Sequence, residues 1–196
     1  KLIEFLYFCK IFDEMDFSLV KDKKWSVIFN PNALGKKQKE LSQKLTRQLE
    51  QLSLNFSFTI ASDVLICKEH IKKECQAGQR YFMIAGGDGT VNEAINAIFE
   101  ANIPTEEVFI MVIPIGTGND WSRTHHYPPH FTVKKSILSK GKFVPHDIGI
   151  VETISNGKVV ASRYFLNIAG FGFDASVIKT TKDQKSTRFP SLVYIL

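Results

Sequence analysis

Apolar positions along the chain alternate between short continuous runs and longer segments with helical spacing. WSVIFN at residues 25–30, stopped by Pro31, predicts a first strand. From Lys37 the leucines at 41, 45, 49 and 52 recur every three or four residues among Lys, Gln, Arg and Glu, which predicts an amphipathic helix lying on a sheet. FSFTI at residues 56–60 predicts the second strand, and Ser62 or Asp63 is placed to cap a helix running to Gln76 and closed by Gly78. YFMIA at 81–85 predicts the third strand, residues 91–100 the third helix, and VFIMVIPI at 108–115 the fourth strand. These near-continuous apolar strands suit a parallel sheet covered on both faces.

Strand and helix therefore alternate as in an α/β, doubly wound, Rossmann-like domain, whose ligands bind at the carboxyl ends of the strands. Three Gly-containing loops, NPNALG, GGDGT and GTGND, each follow a strand directly and converge on that edge. After Lys142 the pattern changes: DIGIVETI and VVASRYFLNIAG flank Asn156-Gly157, a strong hairpin signal. The expected division is an N-terminal extension (residues 1–24), an α/β domain (25–142), and the start of a β-rich domain (143–196) with a short helix near 174–179 and an apolar ending, SLVYIL.

The bulk numbers narrow the partners. With 196 residues and 44% hydrophobic content, the chain can bury one good core. The formal charge of +5 is spread along the chain without the basic block of a nucleic-acid arm, so phosphorylated ligands and anionic membrane surfaces fit and nucleic acid does not. Cys9, Cys67 and Cys75 match no metal-ligand spacing and read as reduced thiols of a cytoplasmic protein. KLIEFLYFCKIF at the start is too short to span a bilayer. It reads as a helix or strand packed on the domain, as sequence upstream of a start at Met15, or as a weak membrane anchor.

The chemistry concentrates in IAGGDGTVNEAI, residues 84–95. A Gly-rich turn between a buried strand and a helix aims backbone N–H groups at an anion. Glycines that merely permit a tight turn would leave Asp88, Thr90 and Asn92 unexplained. A carboxylate in a phosphate cradle repels its ligand unless a cation bridges the two or the carboxylate faces another donor. GTGND repeats the design one strand on. Two acidic residues at neighbouring strand ends point to a polyphosphate linked by Mg²⁺, with Asp88 as the candidate ligand. Asp120 either joins them or caps the short helix beginning at Trp121, and Asn119 is open in the same way. Asp147 either caps the turn from Pro145 or faces a site between the domains. His125, His126 and His130 match no zinc pattern and read as surface loop residues. No GxxxxGK[ST], GxGxxG or protein-kinase signature is present.

GGDGTVNEA, IPIGTGNDWSR and NIAGFGFDASV together closely resemble the catalytic domains of diacylglycerol kinases, sphingosine kinases and related bacterial lipid kinases. GGDG alone is shared with NAD kinases and phosphofructokinases, whereas TVNEA and GTGND are similar to lipid kinases. The resemblance runs from Trp25 to Leu196 and implies an ATP-binding α/β domain joined to a β-sandwich. A phosphoryl group would pass, with Mg²⁺, to a lipid hydroxyl in the cleft at a membrane surface. On matching positions it implies nucleotide contacts from Asn30, Gly86, Gly87, Asp88, Gly89, Thr90, Asn92, Glu93 and Thr117, and more loosely from Thr59. Glu93 is open to a structural role instead. Asp147 matches an aspartate of the family's metal and water network. Leu34 departs from the small residue the family often carries in its first loop. The family's general base lies in an acidic motif beyond the counterpart of Leu196, leaving Asp120 and Asp147 as candidates within these residues. The alternatives are a nucleotide-binding fragment without catalysis, prone to associate through its uncovered strands, as a homo-oligomer or otherwise, and an NAD kinase-like enzyme.

Overall fold

The computed structural model describes residues 2–7, 15–33, 38–127, 141–167 and 169. The chain divides into two compact units, Lys1–Leu166 and Asn167–Leu196. Nearly all of the second lies outside the described residues, as do Leu34, His130 and most of NIAGFGFDASV.

The first unit is built on a parallel core. Strands β3 (Trp25–Phe29), β4 (Phe56–Ile60), β5 (Tyr81–Gly86) and β6 (Phe109–Pro114) alternate with helices α1 (Gln38–Gln51), α2 (Val64–Gln76) and α3 (Asp88–Glu100), then the short α4 (Asp120–Thr124). Strand side chains divide by the period of two. Ile28, Phe82, Ile84, Ile110 and Val112 pack toward α2 and α3, whereas Val27, Phe29, Met83, Met111 and Ile113 pack toward Leu45 and Leu49 of α1. The fold is thus α/β, with a Rossmann-like parallel sheet covered on both faces.

The sheet extends further than the sequence pattern indicates. β1 (Leu2–Tyr7) pairs parallel with β6, and β7 (Lys142–Asp147) pairs antiparallel with both β1 and β2 (Met15–Asp16), giving the order β2-β7-β1-β6-β5-β3-β4. The N-terminal segment is therefore a strand packed on the domain. Aromatic packing fixes β7: fully buried Phe143 stacks on Trp25 at 6.0 Å and meets Phe109 edge-on at 5.2 Å.

Helix ends follow the expected chemistry with one change of boundary. Asp63 caps α2 through Leu65 N–H at 2.7 Å, and Gly78, at φ +93°, takes the left-handed conformation that ends it. Helix α3 begins at Asp88 rather than Val91, because Gly87 is extended and Asp88, Gly89 and Thr90 already form the first turn. First-turn residues have no intrahelical acceptor for their N–H groups, so a glycine there forfeits little. Beyond β7, β8 (Gly149–Ser155) and β9 (Lys158–Phe165) form a separate antiparallel pair. Their two-residue turn has Asn156 at φ 50° and Gly157 at φ 72°, as a type I′ turn requires. Ile154, Val159 and Val160 of this hairpin are exposed.

Candidate functional site

Three parallel strands end side by side. Asn30 N–H donates to Ala85 O at 2.9 Å, and Ile115 N–H to Gly86 O at 3.1 Å, so the ladder continues one residue past the strands before the loops open. From this edge the NPN, GGDGT and GTGND segments emerge together.

Side chains and backbone lock these loops to one another. Asn30 Nδ2 donates to Thr90 Oγ1 at 2.8 Å, while its Oδ1 accepts Asn32 N–H at 2.9 Å. Thr90 is buried over Gly86, where an added Cβ would stand 2.4 Å from Thr90 Cβ. On the other side a Cβ on Gly116 would lie 2.5 Å from Gly87 Cα, so the second and third loops touch backbone to backbone. Asn119, in the left-handed region at φ 53°, closes its own loop by accepting Gly116 N–H at 3.1 Å and donating to Gly116 O at 2.6 Å.

Asp88 answers the electrostatic question its position raises. Its Oδ2 accepts Asp120 N–H at 3.1 Å and its Oδ1 accepts Trp121 N–H at 3.2 Å. The carboxylate caps α4 from a different element, and Asn119, at the helix's own N-cap, makes no side-chain cap. Asp120 thus contributes its backbone to Asp88. Its exposed side chain lies 3.6 Å from Arg123 Nη1. A Cβ on Gly118 would stand 3.2 Å from Asp88 Oδ2 and 3.9 Å from Asp120 Oδ2, so both carboxylates border the same glycine. Among the described residues no cluster of three or more His, Cys, Asp or Glu side chains is placed to hold a metal ion.

The other expected site residues are dispersed. Thr117 is exposed, and its carbonyl accepts a hydrogen bond from Arg123 Nη2 at 3.4 Å. Thr59 Oγ1 meets His70 Nε2 at 3.1 Å; His70 lies 3.5 Å from Glu74, whose carboxylate accepts the buried Ser26 hydroxyl. That chain runs under α2. Asn92 is half-buried, and its carbonyl accepts Asn96 Nδ2 at 2.8 Å. Glu93 is ion-paired with Arg163 of β9. Asp147 is exposed at the end of β7, opposite Leu2. Asn96 of α3 and Arg163 of β9 carry no motif that singles them out, yet they tie the two elements together, Asn96 by bonding Tyr164 and Arg163 by pairing with Glu93.

The histidines depart from the surface reading in part. His126 is exposed, but His125 is half-buried, 4.7 Å from the buried Trp121 ring and 5.5 Å from the ring of His146. Burial, then the neighbouring His146 and His126, push the His125 pKa down to about 4. Burial also lowers His146, opposed by its bond to Leu166 O and by Asp147.

The profile of the diacylglycerol kinase catalytic domain matches residues 24–151, a span holding all three loops. The chain belongs to the diacylglycerol kinase catalytic-domain family. It is 33% identical over 179 residues to a diacylglycerol kinase of Bacillus subtilis (strain 168), covering 89% of this chain and 54% of that protein. It is 27% identical over 174 residues to a diacylglycerol kinase of Staphylococcus carnosus (strain TM300), covering 89% and 53%. The chain spans about half the length of the curated relatives it matches. A crystal structure of a diacylglycerol kinase from Bacillus anthracis str. Sterne superposes with a TM-score of 0.45 at 23% identity, covering 61% of this chain and 40% of that one.

Proposed function

We propose that the whole protein is an ATP-dependent lipid kinase and that the described parallel sheet with its three loops forms the nucleotide side. The observation that carries this reading is the junction of Gly87 with Gly116, which brings two glycine turns, a 13-residue helix N-terminus and two carboxylates to one sheet edge. N–H groups of the first turn of α3 supply donors for phosphate oxygens, and the glycines allow the phosphates to approach the backbone. Asp88 and Asp120 fit a magnesium ion that takes most of its ligands from water and phosphate. When bound, that ion neutralises charge on the phosphates.

In the reaction the bond from the γ-phosphorus to the β,γ-bridging oxygen breaks and a bond to the lipid hydroxyl oxygen forms. ADP leaves, and the hydroxyl proton passes to a carboxylate base. We assign that base, as the family resemblance implies, to an acidic motif outside these residues, with Asp120 and Asp147, both exposed, as the candidates within them. The acceptor lipid is proposed to be met at a membrane surface; no described helix is long and apolar enough to cross a membrane. The test is transfer of radiolabelled γ-phosphate by the full-length protein in mixed micelles of diacylglycerol, phosphatidylglycerol or a sphingoid base. Label in a lipid supports the reading; label in NAD and in no lipid rejects it.

A further inference from the structure

Glu93, Asn96 and Phe99 recur at intervals of three on α3, and all three contact β9. Asn96 is 3% exposed. Its Nδ2 donates to Tyr164 O at 2.9 Å while its Oδ1 accepts Tyr164 N–H at 3.0 Å. In a strand the N–H and C=O of one residue point to the same side. Tyr164 is opposite Ile150 of β8, so the carboxamide occupies β9's other edge, where a further strand would pair. Phe99 stacks on the Tyr164 ring at 4.1 Å, and Glu93 is ion-paired with Arg163.

This arrangement is specific to asparagine. Alanine or leucine would leave a buried donor and acceptor of β9 unsatisfied, and aspartate would lack the donor. A two-point bond to backbone fixes where β9 sits along α3. The same helix begins at Asp88, eight residues away or about 12 Å along the axis, with the turn assigned to phosphate.

We propose that Asn96 is a positioning residue: through one rigid helix it sets the β8–β9 hairpin, which we assign to the acceptor side, in register with the nucleotide loop. This rests on the lipid-kinase reading. The carboxamide touches neither substrate, so its loss should impair the transfer step and leave nucleotide binding intact.

The test uses full-length protein carrying Asn96→Ala, with hydrogen exchange, ADP titration and lipid-kinase kinetics. We expect amides of Lys158–Phe165 to exchange about tenfold faster or more, with Tyr81–Gly86 still protected. ADP affinity should stay within about twofold, and kcat should fall about tenfold or more with little change in the KM for ATP. Folded Asn96→Ala with wild-type kcat, or with unaltered β9 exchange, overturns the proposal. Should that variant not fold, Asn96→Asp keeps the acceptor for Tyr164 N–H and loses only the donor to Tyr164 O. A smaller rise in β9 exchange with a smaller loss of kcat supports the proposal, and no change in either overturns it. Absence of lipid phosphorylation by the wild-type protein overturns the kinase reading and the positioning role with it; β9 exchange then shows separately whether Asn96 holds the hairpin.

Discussion

Gly116 and Gly87 meet so closely that a single added Cβ on Gly116 would stand 2.5 Å from the Gly87 Cα. Backbone faces backbone there, so no side-chain rotation can relieve the clash. Gly89, two residues further into the first turn of α3, has nothing within 4 Å of its virtual Cβ. The two glycines therefore predict opposite phenotypes. Gly116→Ala should lower the unfolding midpoint and weaken ADP binding together, by forcing the two loops apart. Gly89→Ala should hold stability or raise it by well under the ~1 kcal/mol of a helix-interior glycine, while weakening ADP binding if phosphates approach that backbone. Paired thermal melts and ADP titrations check both; a destabilised Gly89→Ala variant contradicts the open space around it.

Asp88→Asn separates charge from capping incompletely. The carboxylate uses both oxygens, one for Asp120 N–H and one for Trp121 N–H. A carboxamide offers one oxygen and turns an NH₂ toward the remaining donor. We expect a loss of about 1 kcal/mol in stability, of the order of a removed helix cap. Lipid-kinase activity should drop far more than that in full-length protein, with a raised Mg²⁺ requirement. Wild-type turnover with unaltered Mg²⁺ dependence would leave Asp88 with the capping role alone.

Much of this frame is legible in the sequence because burial repeats with the periods of the elements: WSVIF and FIMVI are nearly continuous apolar runs buried on both faces, and α1 shows its leucine stripe. The GGDGT turn misleads for a physical reason. Glycine lowers helix propensity inside a helix, but Gly89 lies in the first turn, where no hydrogen bond to an earlier turn exists to be weakened. The bond from Asp88 to the backbone at 120 and 121 joins loops over thirty residues apart. It exists only because β5 and β6 are neighbours in register. The placement of β7 in the large sheet likewise depends on β1 and on Phe143 reaching Trp25, and local pattern contains neither.

Cys67 and Cys75 lie on the buried face of α2 among Ile71 and the strands beneath it. Burial pushes the Cys67 thiol up to about 11 and the Cys75 thiol up to about 12. Since the thiolate is the reacting species, neither should react with a disulfide reagent at pH 8 in the folded protein. Both should react once urea unfolds it, at the same midpoint as the loss of helical circular dichroism. Rapid labelling of either residue under native conditions would contradict this packing.

The aromatic shelf beside α4 makes stability depend on pH. His125 has a folded-state pKa of about 4, below the ordinary value of 6.5, and His146 is shifted the same way. Between those values the unfolded chain binds protons that the folded chain does not, so stability is fully present above about pH 6.5 and declines as pH falls toward 4. Asp147 acts against this by favouring protonated His146, and the partial exposure of His125 tempers it further. The slope should stay below about 1.4 kcal/mol per pH unit for each group. Urea midpoints measured at pH 7, 6 and 5 should fall stepwise. In His125→Gln, which cannot take up a proton, the fall should be shallower while His146 preserves part of it. An identical slope in wild type and variant would mean that His125 titrates in the folded protein as it does in the unfolded chain.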